Sequence, residues 1–123
     1  MTKARGPKKS PSGVAASEQT ELVFVVDVSS FTKNGFMGAT EYQGGRVELE
    51  FDDEGEGLFL TSEMATRLQV GEGSRVSLAL EEGLNQAVEL TVAGVGGRPR
   101  ISDPRVYYGV GREGGAVLRL RKT

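Results

Sequence analysis

Along most of this chain apolar residues recur with a period of two. In residues 46–51 (RVELEF), Val47, Leu49 and Phe51 alternate with Glu48 and Glu50, which puts three apolar side chains on one face of a strand and two carboxylates on the other. Residues 88–92 (VELTV) follow the same pattern. Residues 75–80 place Val76, Leu78 and Leu80 on one face, and residues 116–121 (AVLRLR) set Leu118 and Leu120 against Arg119 and Arg121. Residues 22–28 (LVFVVDV) form a nearly continuous apolar run rich in β-branched residues, which predicts a strand buried on both faces. A short strand is expected at residues 58–60.

The period changes twice. After residue 60, Thr61 fits an N-cap, Glu63 suits the positive end of a helix, and Met64, Ala65 and Leu68 share a helical face. Gly71 is the expected positive-φ terminator of this helix. Asp103-Pro104 predicts a second N-cap with proline in the first turn, and Val106, Tyr107 and Val110 give a weaker apolar face cut short by Gly109 and Gly111. Between these elements lie turn-forming segments. Residues 29–45 (SSFTKNGFMGATEYQGG) read as a loop punctuated by Asn34-Gly35 and Gly44-Gly45, with Phe36, Met37 and Tyr42 either capping a barrel end or lining a pocket there, capping being the preferred reading. Residues 81–86 read as a hairpin loop and residues 93–100 (AGVGGRPR) as a flexible basic turn. The fold class that follows is mainly β: a small closed or partly closed β-barrel with one or two short helices, occupying residues 21–123. Residues 1–20 lack periodicity and are rich in Lys, Pro, Ser, Ala and Gly. They are expected to be a disordered basic tail.

Composition narrows the chemistry. At 123 residues the chain fits one domain plus a tail and is long enough to bury a core. It has neither cysteine nor histidine, which excludes disulfides, a Ser-His-Asp triad, thiolate nucleophiles and histidine-ligated metals. No apolar run is long enough to span a membrane as a helix, and the basic N-terminus is not followed by the apolar core of a secretory signal, so a cytoplasmic protein without membrane contact is expected. No cofactor is implied. Glycine supplies 18 residues, which agrees with a turn-rich β fold.

The net charge of −2 hides a segregated distribution. Residues 1–20 hold Lys3, Arg5, Lys8 and Lys9 against Glu18, residues 21–87 hold thirteen acids against four bases, and residues 88–123 hold seven bases against three acids. A basic C-terminal half after an acidic middle fits a nucleic-acid contact, a contact between copies, or simple solvation of the surface.

The chain also echoes itself. A gapless alignment of residues 47–80 on 88–121 matches Val47-Glu48-Leu49 with Val88-Glu89-Leu90, Leu60 with Ile101, Thr61 with Ser102 and Glu72-Gly73 with Glu113-Gly114. The pattern in residues 58–80, an apolar strand, Thr-x-x-Met-Ala-x-x-Leu-x-Val, Gly-x-Gly and a second strand, resembles the strand–helix–strand units of cradle-loop and double-psi β-barrels. Residues 88–121 carry the resemblance more weakly. It implies the barrel architecture and leaves function open, because that superfamily spans DNA-binding regulators, adaptor domains, cofactor domains and a self-processing decarboxylase. The DNA-binding members use basic loops where this chain has the acidic residues 52–57, and Gly73-Ser74, the only Gly-Ser pair, follows the helix instead of preceding it. Asp27-x-Ser29 is similar to part of the cyclic-dinucleotide motif of PilZ barrels, but Thr32 stands at the glycine position and the paired arginines are missing.

Three groups of residues are candidates for contact with a ligand. Arg98, Arg100, Arg105, Tyr108, Arg112, Arg119 and Arg121 mix guanidinium groups with an aromatic ring and suit an anionic partner. Lys3, Arg5, Lys8 and Lys9 of the tail offer phosphate or carboxylate contacts. Asp52, Asp53, Glu54 and Glu56 supply oxygen ligands for a hard cation, although their spacing is not that of a calcium loop. No convergent acid–base set is legible, so an enzyme is not expected. The expected function is a non-catalytic binding or scaffolding module that engages an anionic protein partner or a second copy through its basic C-terminal half. The alternative is nucleic-acid binding through the tail and residues 98–112.

Overall fold

A computed structural model of the chain describes residues 21–81 and 87–123. Eight strands and two helices follow in the order β1 (Glu21–Phe31), β2 (Gly35–Tyr42), β3 (Gly45–Asp52), β4 (Gly57–Leu60), α1 (Ser62–Leu68), β5 (Arg75–Leu80), β6 (Val88–Val95), β7 (Arg100–Ser102), α2 (Pro104–Glu113) and β8 (Gly115–Lys122). The strands close into a barrel in the order β1-β2-β3-β7-β4-β6-β5-β8, with β8 returning to β1. An eight-stranded barrel has an interior that side chains alone can fill. Here Phe24, Phe36, Phe51, Leu49, Leu58, Leu78, Ile101 and Leu118 are among the fully buried residues that do so.

The alternating segments became strands with the expected inward faces: Leu49 and Phe51 in β3, Val76, Leu78 and Leu80 in β5, Leu118 and Leu120 in β8. Both helices start where their caps predict. The Thr61 hydroxyl accepts from the Met64 N–H at 3.2 Å, and the Asp103 carboxylate accepts from the Arg105 and Val106 N–H groups at 2.9 and 3.3 Å. Strand β1, in contrast, is buried on one face only: Leu22, Phe24 and Val26 point inward, while Val25 is 49% exposed. In a closed barrel with no layer outside it among the described residues, the outer face of a wall strand meets solvent, even where that face is valine.

The largest correction concerns residues 29–45, which are not a loop. Strand β1 runs on to Phe31, Asn34-Gly35 closes a tight hairpin in which the Thr32 N–H donates to the Gly35 carbonyl at 2.9 Å, and β2 occupies residues 35–42. The inward positions of β2 are Phe36, Gly38 and Thr40. A Cβ on Gly38 would lie 2.5 Å from a Val26 methyl carbon and 3.2 Å from the Phe51 ring, so the neighbouring side chains fill that site and only glycine fits. Small inward residues erase the alternation that would announce the strand. Strand β6 likewise runs to Val95, leaving only residues 96–99 as the basic turn. Helix α1 ends on Gln69 at φ 61°, before Gly71, and α2 runs ten residues through both of its glycines. Of the expected loop at residues 81–86, residues 82–86 lie outside the described residues, as does the tail at residues 1–20.

The internal echo has a structural counterpart with a different register. Strand β3 pairs parallel with β7, and β6 pairs parallel with β4. Between them β4 and β7 pair antiparallel, with Leu58 opposite Ile101. The two N-caps are Thr61 and Asp103. The gapless alignment matched Thr61 with Ser102 and Leu60 with Ile101. It is already one residue out at the caps, where β4 and β7 differ in length, and it is out in the other direction at β5 and β8, because α1 and α2 differ in length and a six-residue turn (69–74) joins α1 to β5 where Gly114 alone joins α2 to β8. Because β4 and β7 are antiparallel, the helices that follow them leave from opposite ends of the barrel. Helix α1 sits by Tyr42, whose hydroxyl donates to Glu63 at 2.9 Å, and α2 sits by Phe36. The β1–β2 hairpin stands outside this repeat, between β8 and β3.

Phe51 is fully buried and stacks on Phe36 with ring centroids 4.8 Å apart. Phe51→Ala is expected to lower the unfolding free energy by about 3–5 kcal/mol in urea titration. Val25→Ala, on the solvent face of β1, is expected to change it by less than about 1 kcal/mol.

Candidate functional site

Asp52, at the end of β3, is the most connected polar side chain in the barrel. Its Oδ2 receives the Arg100 Nη1 at 2.6 Å, and its Oδ1 receives the Ser102 hydroxyl and, at 3.0 Å, the Glu54 N–H. The Ser102 hydroxyl in turn accepts from the Glu56 N–H at 3.0 Å, and the second Arg100 nitrogen reaches Glu56 Oε1 at 2.5 Å. The Arg100 guanidinium also lies 4.4 Å from the centre of the Phe59 ring. Burial alone would raise the pKa of Asp52, but the Ser102 hydroxyl, the Glu54 N–H and the Arg100 charge together hold its carboxyl below the ordinary carboxylate range. Burial would likewise raise Asp103, and there the Arg105 guanidinium and the cap N–H groups outweigh it and lower the pKa.

This network accounts for two of the sequence candidates at once. Asp52 and Glu56 are committed to Arg100, so the acidic loop is fastened to β7 and does not converge on a cation. Among the described residues no group of three or more acidic side chains is placed to hold a metal ion. Arg100 is a wall residue with its charge neutralised on the spot.

The other predicted residues do not share one face. Arg98 lies in the 96–99 turn toward the α1 end, Arg119 and Arg121 lie on the outer wall in β8, and Arg105, Tyr108 and Arg112 lie on α2. Arg119 pairs with Glu81 at 2.6 Å and Glu21 at 3.7 Å, Arg121 with Glu21 at 2.9 Å, and Arg105 with Asp103 at 2.9 Å. Among the described residues, Lys33, Arg98, Arg112 and Lys122 are the cations without an ion-pair partner. The basic half of the sequence is therefore largely the counter-charge of the acidic half.

What the fold does bring together is an aromatic end. Phe36 stacks on Phe51 inside the barrel, Tyr107 tilts over Phe36 at 5.3 Å, and Phe31 and Tyr108 sit edge-on to this pile at 6.4 and 5.0 Å. The outer two are open to solvent: Phe31 is 79% exposed and Tyr108 57%. With Gly111 and Arg112 these rings line a recess of ≈ 260 Å³. The Tyr108 hydroxyl donates to Asp53 at 3.4 Å, which brings the acidic loop to the rim. The sequence pattern points to Tyr108 and Arg112 but not to Phe31, which falls within the expected loop at residues 29–45. The available signal was the spacing of Phe31 and Phe36 about Asn34-Gly35, which makes them a cross-strand pair across a hairpin.

The two carboxylates with lowered pKa are already paired, and neither lines the aromatic recess. No described helix is long and apolar enough to cross a membrane. The protein is thus a closed eight-stranded barrel with a helix at each end and an exposed aromatic patch at one of them. No family model, curated protein or solved structure matches the chain.

Two predictions test the network. Arg100→Ala leaves Asp52 buried beside an unanswered charge and is expected to destabilise the barrel by about 2–4 kcal/mol, whereas Arg119→Ala, at an exposed pair, is expected to cost less than about 1 kcal/mol. Both are read from chemical denaturation. Asp52 and Asp103 have folded pKa values below their unfolded ones, so their contribution is complete above the unfolded carboxylate range near about pH 4 and is lost as pH falls through the lower folded values. Acid titration followed by circular dichroism should show stability falling only below about pH 4, and Asp52→Asn should flatten that fall.

Proposed function

We propose that this protein is a small, non-catalytic intracellular binding module that engages a protein partner through the aromatic end of its barrel. One observation carries the reading: Phe31 and Tyr108 are exposed on one recess, each packed edge-on against a ring of the Phe51–Phe36–Tyr107 stack. Large aromatics held rigid lose little conformational freedom on binding and dominate the energetics of protein contacts. Arg112 lines the recess with them, Lys33 lies in the β1–β2 turn two residues after Phe31, and neither has an ion-pair partner among the described residues, so both would draw a carboxylate-bearing partner. The preferred segment is an apolar anchor next to an acidic residue. In this reading the anionic-partner expectation survives at α2, while Arg100, Arg105, Arg119 and Arg121 act structurally. Nucleic acid is the weaker reading, because Asp53 meets the Tyr108 hydroxyl at the rim of the recess, with Glu54 next to it in the chain, and this acidic loop would repel phosphate. The paired parallel strands, each leading through a second strand to a short helix, support kinship with cradle-loop barrels, and that kinship bears on the fold alone.

Peptide display against the full chain tests this. The expected result is enrichment of sequences with an aromatic or large aliphatic residue beside Asp or Glu, and loss of binding by at least about tenfold to Phe31→Ser or Tyr108→Ser. Enriched peptides that bind those variants as tightly as the wild type would remove the aromatic end as the site.

A further inference from the structure

We infer that the partner of the aromatic end is a second copy of this chain, docked across a two-fold axis with the two α2 helices antiparallel. The inference rests on the reading above and names the partner of the same surface.

The charge layout along α2 carries it. The exposed face of the helix runs from Arg105, held by Asp103, through Tyr108 to Arg112 one turn further on. The acidic loop lies against the N-terminal half of this face, where Asp53 meets the Tyr108 hydroxyl. Asp53 and Glu54 are exposed and have no ion-pair partner among the described residues. Arg112 lies at the C-terminal end, on the rim of the recess with Phe31. Lys33, at the tip of the β1–β2 hairpin, follows Phe31 closely in the chain. The patch is therefore negative at one end, aromatic in the centre and positive at the other.

A surface of that kind complements itself when rotated by half a turn. An isologous contact requires the same patch to serve on both sides, so that residue i meets j and j meets i. With the axis through Tyr108, the rings of one copy cover the rings of the other. Arg112 and Lys33 of each copy face Asp53 and Glu54 of its mate, and antiparallel helix dipoles are favourably aligned. The barrel has no free sheet edge among the described residues, so association by strand addition does not compete.

Sedimentation equilibrium on the full chain over a wide concentration range tests this, with peptide display as the separate readout of the parent reading. The wild type is expected to pass from monomer to dimer. Two charge-reversed variants, Lys33→Glu with Arg112→Glu, and Asp53→Lys with Glu54→Lys, are each expected to weaken the dimer at least about tenfold, and an equimolar mixture of the two is expected to restore it. All four positions are exposed, so both variants are expected to keep the fold, which circular dichroism checks. A wild type that stays monomeric, variants that dimerise as well as the wild type, or a mixture that fails to associate overturns the self-docked dimer. If the chain stays monomeric yet display enriches peptides dependent on Phe31, the dimer is refuted and the binding-module reading stands.

Discussion

Strands β7 and β4 hold three and four residues, and they stand between long strands on either side of the barrel wall. The barrel closes only while these two remain in place, and three backbone pairings are a weak bond for a strand bordered on one side by a parallel neighbour. Asp52 supplies the rest. From the end of β3 it takes the Arg100 guanidinium and the Ser102 hydroxyl, the first and last residues of β7, and the loop to β4 folds back so that Glu56 meets both. A buried carboxylate is tolerable only with its charge answered and its lone pairs filled, and here both conditions hold. The same side chain fixes the loop that carries Asp53 to the rim of the aromatic end, so the integrity of the wall and the shape of the contact surface share one cause.

The two-fold relation between the β3–β5 and β6–β8 units explains why the helices cap opposite ends. It also explains why those ends differ. At the α1 end Tyr42 is tied to Glu63 and leans on Phe24 at 5.5 Å, with its ring partly covered. At the α2 end the β1–β2 hairpin holds Phe31 in the last pairing of the sheet, opposite Phe36, where it borders the recess shared with α2 yet leaves most of its ring in water. The asymmetry comes from the inserted hairpin, which has no counterpart in the repeat. Function, in this reading, lies where the symmetry is broken.

Segregated charge in a sequence carries less information about ligands than it suggests. Arg100, Arg105, Arg119 and Arg121 were candidates because they lie together in the chain. Folding sets each beside a carboxylate, and for Arg100, Arg119 and Arg121 those carboxylates come from the acidic segment, because β8 lies between β1 and β5 and β7 lies between β3 and β4. Arg112 and Lys33 escape this pairing. Nothing in the linear order distinguishes Arg112 from Arg105, since both stand on the same helix face.

The alternation of apolar and charged residues by itself determined the mainly β class, the inward faces of β3, β5 and β8, and both helix N-caps, because these depend on local periodicity and on side chains bonding to N–H groups two or three residues away. The absence of histidine and cysteine determined which chemistries were unavailable. Only the tertiary structure decided that residues 35–42 form a strand, because Gly38 and Thr40 are inward positions whose space is filled by Val26 and Phe51 from other strands. It alone decided the register of the internal repeat, the commitment of Asp52 and Glu56 to Arg100, and the meeting of Phe31 with Tyr108. Each of these joins residues far apart in the chain, and no local pattern records which partner will occupy the space or answer the charge.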